Sequence, residues 1–373
     1  GAQVYQGHDV SVVRGAAKVV VSAAVPQGDP ELVAARGLGI PVTTRAELLG
    51  EIMRPRRGVA VTGTHGKTTT SAMIALIMEE AGLDPTVAVG AGLPWLPTGG
   101  KAGHGEFMVV EADEAYRSFL KLDPEVAVVT NIDDDHRDHY GSFDAIVEAF
   151  AQFLERIKPL GFAVLCADDP NVTRAASRLK RRVVRYAVAA EADYAVSEPR
   201  PLGFGSRFVA SHHGRPMGQV ELSVPGMHNM SNAIAAIALA DQLGIDFDVV
   251  RTGLARFSGA DRRCQVLARI PDVTLVDDYA HHPAEIRATL AALRKAASGR
   301  LVAVFQPQRF SRTKLLHDEF VRSFSLADVI AVTEVYYEGT GEEPVPGVSG
   351  RRLAESIEAA LRGNEDRIFE MVQ

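Results

Sequence analysis

Val59-Ala60-Val61-Thr62-Gly63-Thr64-His65-Gly66-Lys67-Thr68-Thr69-Thr70 decides the fold. An apolar run passes into a loop with two glycines, and the loop into a lysine and three threonines that open a helical pattern over 68–80. Gly63 and Gly66 let the backbone N–H groups of the loop, Thr64 and His65 among them, close around phosphate oxygens at a helix start. Lys67 then neutralises the β and γ phosphates, and the hydroxyl of Thr68, followed by Thr69, is a ligand for Mg²⁺. A nucleoside triphosphate suits this order of residues. Val61 stands where the usual spacing has glycine, so the loop is a variant, and by itself it does not separate hydrolase, kinase and ligase.

Working outward, apolar runs at 107–110, 126–130, 162–166 and 183–186 alternate with helical patterns such as 143–157. That alternation predicts an α/β domain with a mainly parallel sheet covered on both faces. Residues 194–224 alternate with period two and carry turns at His213-Gly214 and Pro225-Gly226, which predicts antiparallel edge strands. An alanine-rich helix follows at 229–243. Upstream, Arg54-Pro55-Arg56-Arg57 breaks the apolar pattern as a linker would, and behind it lies an incomplete α/β unit: a strand at 18–21 and helices at 31–36 and 45–53. Downstream of Gly259, strands at 273–276, 301–305 and 329–332 alternate with helices at 283–297, 313–324 and 353–361, a second doubly wound unit. The division is therefore 1–57, 58–258 and 259–373.

Composition agrees. The 373 residues are 46% hydrophobic and 23% charged, enough for two or three packed cores at roughly 150 residues each. A disordered or disulfide-stapled chain is excluded. Cys166 and Cys264 are far apart and form no Cys-x-x-Cys pair, so a reducing compartment, the cytoplasm, is expected. No apolar run reaches the roughly 20 residues of a bilayer crossing, and no signal-peptide profile opens the sequence. No membrane association is expected. A net charge of −7 argues against bulk nucleic-acid binding, so an anionic ligand must be held by local groups.

Polar residues cluster where apolar strands end. Glu111-Ala112-Asp113-Glu114 follows one strand, where carboxylates can meet a phosphate-bound metal, and Glu111 is the candidate ligand. Asp113 and Glu114 read equally as catalytic groups or as acids answering a helix dipole. After the next strand, Thr130-Asn131-Ile132-Asp133-Asp134-Asp135-His136 brings His136 to the same edge if the two strands are neighbours. In His228-Asn229-Met230-Ser231-Asn232 the Asn232 amide can bond a purine edge, while Asn229 or Ser231 can simply cap the helix. Asp277-Asp278-Tyr279-Ala280-His281-His282-Pro283 again joins a strand to a helix; adjacent side chains diverge at a turn, which disfavours a two-histidine metal site. Arg309 and Arg312, after the strand ending at Phe305, carry the forked guanidinium that suits carboxylates and phosphates.

In their order along the chain these segments resemble the Mur ligase family. The resemblance implies three domains: an N-terminal module for a UDP-sugar, a P-loop central ATPase and a Rossmann-like C-terminal module. It also implies an ATP-dependent amide ligase of peptidoglycan precursor synthesis. ATP phosphorylates the lactyl carboxylate of UDP-N-acetylmuramate, and the acyl phosphate is attacked by the amine of L-alanine. By the same resemblance Thr68, Glu111 and His136 bind Mg²⁺, Asn232 contacts adenine, and Arg263, Tyr279 and His281 belong to the nucleotide and amino-acid site. Lys67, His281, Arg309 and Arg312 are the implied catalytic set.

The family's glycine-rich uridine-binding turn is not found after Gly1-Ala2, and further strands are expected beyond Gln373, so both terminal parts read as incomplete. Ala115-Tyr116-Arg117 replaces a smaller, more acidic segment typical of the family, Ala280 a glycine and Gln308 a histidine. Two other readings stay open: a ligase that recycles a preformed peptide onto the same nucleotide sugar, and a non-catalytic nucleotide-binding paralogue. Retention of Lys67, Glu111 and His136 opposes the second.

Overall fold

Short apolar runs set the strands, and capped helices join them. Near the N-terminus β1 (Val19–Val21) pairs in parallel with β2 (Val42–Thr44), and α1 (Pro30–Gly37) connects them. Asp29 starts α1 by accepting from the N–H groups of Glu31 and Leu32, with Pro30 in the first turn, where its missing N–H costs nothing. Thr44 and Glu47 form a reciprocal capping box at the start of α2 (Arg45–Met53). The computed structural model describes residues 3–23, 25–135, 137–338, 341–361 and 368–371. It divides into two compact units, one within 1–67, 82–90 and 100–186, the other within 68–81, 91–99 and 187–373.

The first unit is built on β3 (Arg57–Thr62), buried from Gly58 to Thr62. The phosphate-type loop leads from β3 into α3 (Lys67–Glu80), and β4 (Thr86–Ala88), β5 (Gly100–Lys101), β6 (Phe107–Glu111) and β7 (Val126–Val129) follow. After α4 (Arg137–Tyr140) and α5 (Phe143–Glu155) come β8 (Phe162–Cys166), α6 (Pro170–Ala175) and β9 (Arg182–Ala187). The strands lie in the order β9-β8-β7-β3-β6-β4-β5, parallel throughout except for the β4–β5 pair. Since β3 has β6 on one side and β7 on the other, the strand order reverses around it. That is where open α/β sheets place a ligand crevice.

Arg57 belongs to β3 rather than to a linker. It is in register with Phe107, and its guanidinium reaches Glu125 at 2.7 Å and Glu106 at 3.1 Å. The charge that looked like a break is satisfied by acids beside the strand start. One core of this unit packs Met53, Met108, Phe119 and Phe150 with their neighbours, and the rings of Phe119 and Phe153 stack 5.0 Å apart.

In the second unit α3 is buried continuously from Thr68 to Met78, as expected of a helix apolar on every face. Strands β10 (Tyr194–Leu202), β11 (Gly205–His212) and β12 (Arg215–Leu222) form the expected antiparallel meander. They are followed by α7 (Met227–Gln242) and α8 (Phe247–Ala255). Next, β13 (Gln265–Ile270) and β14 (Val273–Asp277) pair antiparallel, whereas the sequence pattern predicted only the second strand, within an α/β alternation. Helix α9 (Pro283–Ala296) precedes β15 (Val302–Phe305). The single helix expected over 313–324 is two, α10 (Phe310–Leu315) and α11 (His317–Arg322), broken at Leu316 with φ −103° and ψ 19°. Strand β16 (Val329–Val332), α12 (Gly350–Leu361) and β17 (Ile368–Met371) complete the chain, and β15, β16 and β17 run parallel. Among the described residues no helix is long and apolar enough to cross a membrane.

Candidate active site

The loop after β3 is shaped by the carboxyl end of β7. Gly63 has φ +139°, and a Cβ there would lie 2.0 Å from Thr130 Oγ1. No side chain fits. The N–H of Thr64 donates to Asn131 O at 3.1 Å and that of His65 to Asn131 Oδ1 at 2.8 Å. In return Thr130 Oγ1 and Asn131 Nδ2 donate to His65 O at 2.6 and 3.0 Å, and Asp133 N donates to Thr64 Oγ1 at 2.8 Å. The His65 ring lies 3.3 Å from Asp133. Gly66, at φ +83°, supplies the final left-handed bend before Lys67.

Lys67 opens α3 with its side chain turned back over this loop. Its Nζ donates to Gly63 O at 2.7 Å and Thr64 O at 3.2 Å, and meets both oxygens of Glu114 at 2.8 and 3.0 Å. Glu114 is only 2% exposed. Burial alone would push the Lys67 ammonium down; the negative charges of Glu114, Asp113 and Glu111 more than offset it and hold the group above the ordinary lysine value. Glu114 is thus neither a helix-dipole acid nor solvent-facing, since its side chain makes no cap and closes on the cation instead. Glu111, one register step from the end of β3 opposite Val61, accepts from Gly90 N at 2.7 Å. Thr68 and Thr69, next along α3, are both buried. His136 lies outside the described residues.

The second unit gathers another group of the predicted residues. Arg262 and Arg263 face the Tyr279 ring at 4.6 and 5.5 Å, and the rings of Tyr279 and His281 meet edge to face at 4.9 Å. Glu285 stands between Arg263 and His281, 3.6 Å from each. His282 does a different job: with Glu285 it forms the capping box of α9. Asp278 accepts from the N–H groups of Cys264 and Ala280, yet burial still raises its pKa.

Arg309 has φ +65° at the start of α10, and its carbonyl accepts from Thr313 N and Oγ1. Arg312 is 9% exposed and donates to Gln308 Oε1 at 3.1 Å. Asn232 is buried one turn into α7, where its amide reaches Asn229 Oδ1 at 3.5 Å. Neither Asn229 nor Ser231 caps that helix: the N-cap is Gly226, and Asn229 Nδ2 donates to Pro225 O instead. Sequence reasoning named the Thr130-Asn131 segment and Glu114 but missed their roles, the clamp on the loop and the counter-charge to Lys67. The signal for both was a polar residue directly after a buried parallel strand.

A glycine loop at a strand-order reversal, a buried lysine at a helix start and acids on the adjoining strand define a nucleoside-phosphate-binding α/β protein. The profile of the Mur ligase family catalytic domain matches residues 1–57, that of the Mur ligase middle domain 61–240, and that of the Mur ligase glutamate ligase domain 262–372. A UDP-N-acetylmuramate–L-alanine ligase of Sorangium cellulosum is 46% identical over 372 residues, covering 99% of this chain and 78% of that protein. One of Geobacter sulfurreducens is 46% identical over 359 residues, 96% of this chain and 77% of its own length. Among solved structures, the UDP-N-acetylmuramate–alanine ligase of Thermotoga maritima superposes with a TM-score of 0.81 at 27% identity, covering 98% of this chain and 79% of that one. The murein peptide ligase of Psychrobacter arcticus shares the fold, with a TM-score of 0.68 at 24% identity over 99% of this chain and 80% of its own. The chain belongs to the Mur ligase family.

Proposed function

We propose that this chain is an ATP-dependent ligase that joins L-alanine to UDP-N-acetylmuramate, a step of peptidoglycan precursor synthesis. The observation that carries the reading is nearly full-length similarity to ligases of that name, in a chain whose phosphate loop keeps its lysine among three acids. The lactyl carboxylate oxygen attacks the γ-phosphorus of ATP and ADP leaves. The alanine amine then attacks the acyl phosphate, loses a proton and expels inorganic phosphate, leaving the amide.

Lys67 is the group we assign to charge on the transferring phosphoryl; the N–H groups of Thr64 and His65, expected around the phosphates, are instead bonded to Asn131. Arg309 and Arg312 are assigned to carboxylate or phosphate, Arg263, Tyr279 and His281 to the nucleotide and amino acid, and Asn232 to adenine. Three carboxylates, Glu111, Asp113 and Glu114, act electrostatically on the one lysine, a hard-oxygen, net-negative set that fits Mg²⁺. We assign Glu111, the Thr68 hydroxyl and His136 to it. Bound there, Mg²⁺ would supply charge neutralisation for the phosphates. Two free, buried cysteines support a cytoplasmic location.

Phosphate release from ATP is expected only when UDP-N-acetylmuramate and L-alanine are both present. Release with a preformed peptide but not with L-alanine would overturn the assignment of the acceptor, and ATP binding without release would overturn catalysis. A second expectation concerns Arg312: Arg312→Lys should lower ligation at least tenfold while ATP affinity changes less, because a point charge does not reproduce a bidentate fork. Steady-state kinetics beside equilibrium nucleotide titration check it.

A further inference from the structure

A cavity of about 290 Å³ opens beside the acids that surround Lys67. Its lining includes Ser22, Thr44, Arg45, Glu111, Asp113 and Tyr116. Tyr116 and Arg117 are consecutive non-glycine residues in left-handed conformation, with φ/ψ of 54°/22° and 56°/27°. Side chains adopt that region reluctantly, and two in succession persist only where surrounding contacts impose it. Here they do. Glu114 O accepts from Arg117 N at 3.0 Å and from Tyr140 OH at 2.6 Å, and the Arg117 guanidinium rests 5.3 Å from the Tyr140 ring. The outcome is a Tyr116 ring backed by His139 at 4.1 Å and still 44% exposed, an aromatic surface held at the cavity rather than folded into the core.

A rigid aromatic with a polar tip, set in a cavity whose lining mixes hydroxyls, two cations and acids with apolar groups such as Leu49 and Phe119, has the chemistry that recognises a sugar ring: its apolar C–H face stacks on the aromatic while its polar groups meet the polar parts of the wall. Glu111 and Asp113 belong both to this cavity and to the surroundings of Lys67. A sugar seated here therefore has its acid substituent beside the phosphoryl-transfer locus. We propose that Tyr116 is a specificity-determining residue that stacks on the muramyl ring of the acceptor, which rests on the ligase reading given above.

The test is a set of kinetic constants for Tyr116→Ala and Tyr116→Phe in the full chain. Tyr116→Ala should raise KM for UDP-N-acetylmuramate about tenfold, leave KM for ATP within twofold, and leave the inhibition constant of UDP alone unchanged. Tyr116→Phe should restore the wild-type KM. An unchanged KM in Tyr116→Ala overturns the proposal. So does a parallel rise in the UDP inhibition constant, which would place the ring on the nucleotide, or a rise in KM for ATP, which would place its effect on Lys67. Failure of the wild-type chain to form ADP with UDP-N-acetylmuramate and L-alanine would instead overturn the ligase reading, a separate result.

Discussion

Lys67→Ala is expected to lower turnover by roughly two to three orders of magnitude, the usual cost of losing one preorganised donor to a transition-state oxyanion. The side chain is 14% exposed, and its Nζ meets four protein oxygens within 3.2 Å, so its position is set before any nucleotide arrives. Water in the vacated space would carry no charge. Single-turnover ADP formation is the measurement. Turnover within tenfold of wild type would show that the phosphoryl group is stabilised elsewhere. Lys67→Arg should rescue little, because a longer planar head does not fit where Nζ is already enclosed.

Glu114→Ala should cost about 3 to 5 kcal/mol of stability, since it strands a buried ammonium without its closest counter-charge. Urea unfolding checks this, and a loss under about 1 kcal/mol would mean that Asp113 and Glu111 suffice. The pH dependence follows with a definite sign. In the wild-type fold Lys67 is held above the ordinary lysine value, so the stabilisation from the pair is complete below that ordinary value and fades only as pH rises through the still higher folded value. Near neutrality the wild type should be flat. Without Glu114 the desolvation that dominates the environment of Lys67 is less opposed, so its folded pKa falls and turnover should acquire a basic limb at lower pH than in the wild type.

The inner parallel strands were legible because they are short, largely apolar runs bounded by polar residues, as in Val126–Val129, buried throughout, whereas Val42–Thr44 and Thr86–Ala88, also paired in parallel, are only three residues long and carried no such signal. The loop between β3 and α3 was legible because an apolar run followed by glycines, lysine and threonines is a pattern few other segments share. The hairpin of β13 and β14 was not. Leu267, Ile270, Val273 and Leu275 are each more than half exposed, so no alternation marks an inner face in this part of the chain. The break at Leu316 was hidden because apolar residues on both sides keep helical spacing, and a backbone turn at leucine leaves no compositional trace. In the site, the residues assigned to phosphate stood out by type, whereas the holding roles of Thr130, Asn131 and Glu114 did not. Their role depends on β6 and β7 flanking β3, and strand order is a property of the sheet rather than of any one segment.

The clamp of Thr130 and Asn131 on the bend after β3 also bears on how the protein comes into being. A chain emerging residue by residue from the ribosome exposes the whole Gly63–Lys67 segment more than sixty residues before its mould is synthesised. Until β7 docks, the segment is a flexible string of amides, and the ordering entropy is met by sheet assembly rather than by the triphosphate. The nascent first half thus lacks the groups that shape this bend until translation has run past Asn131.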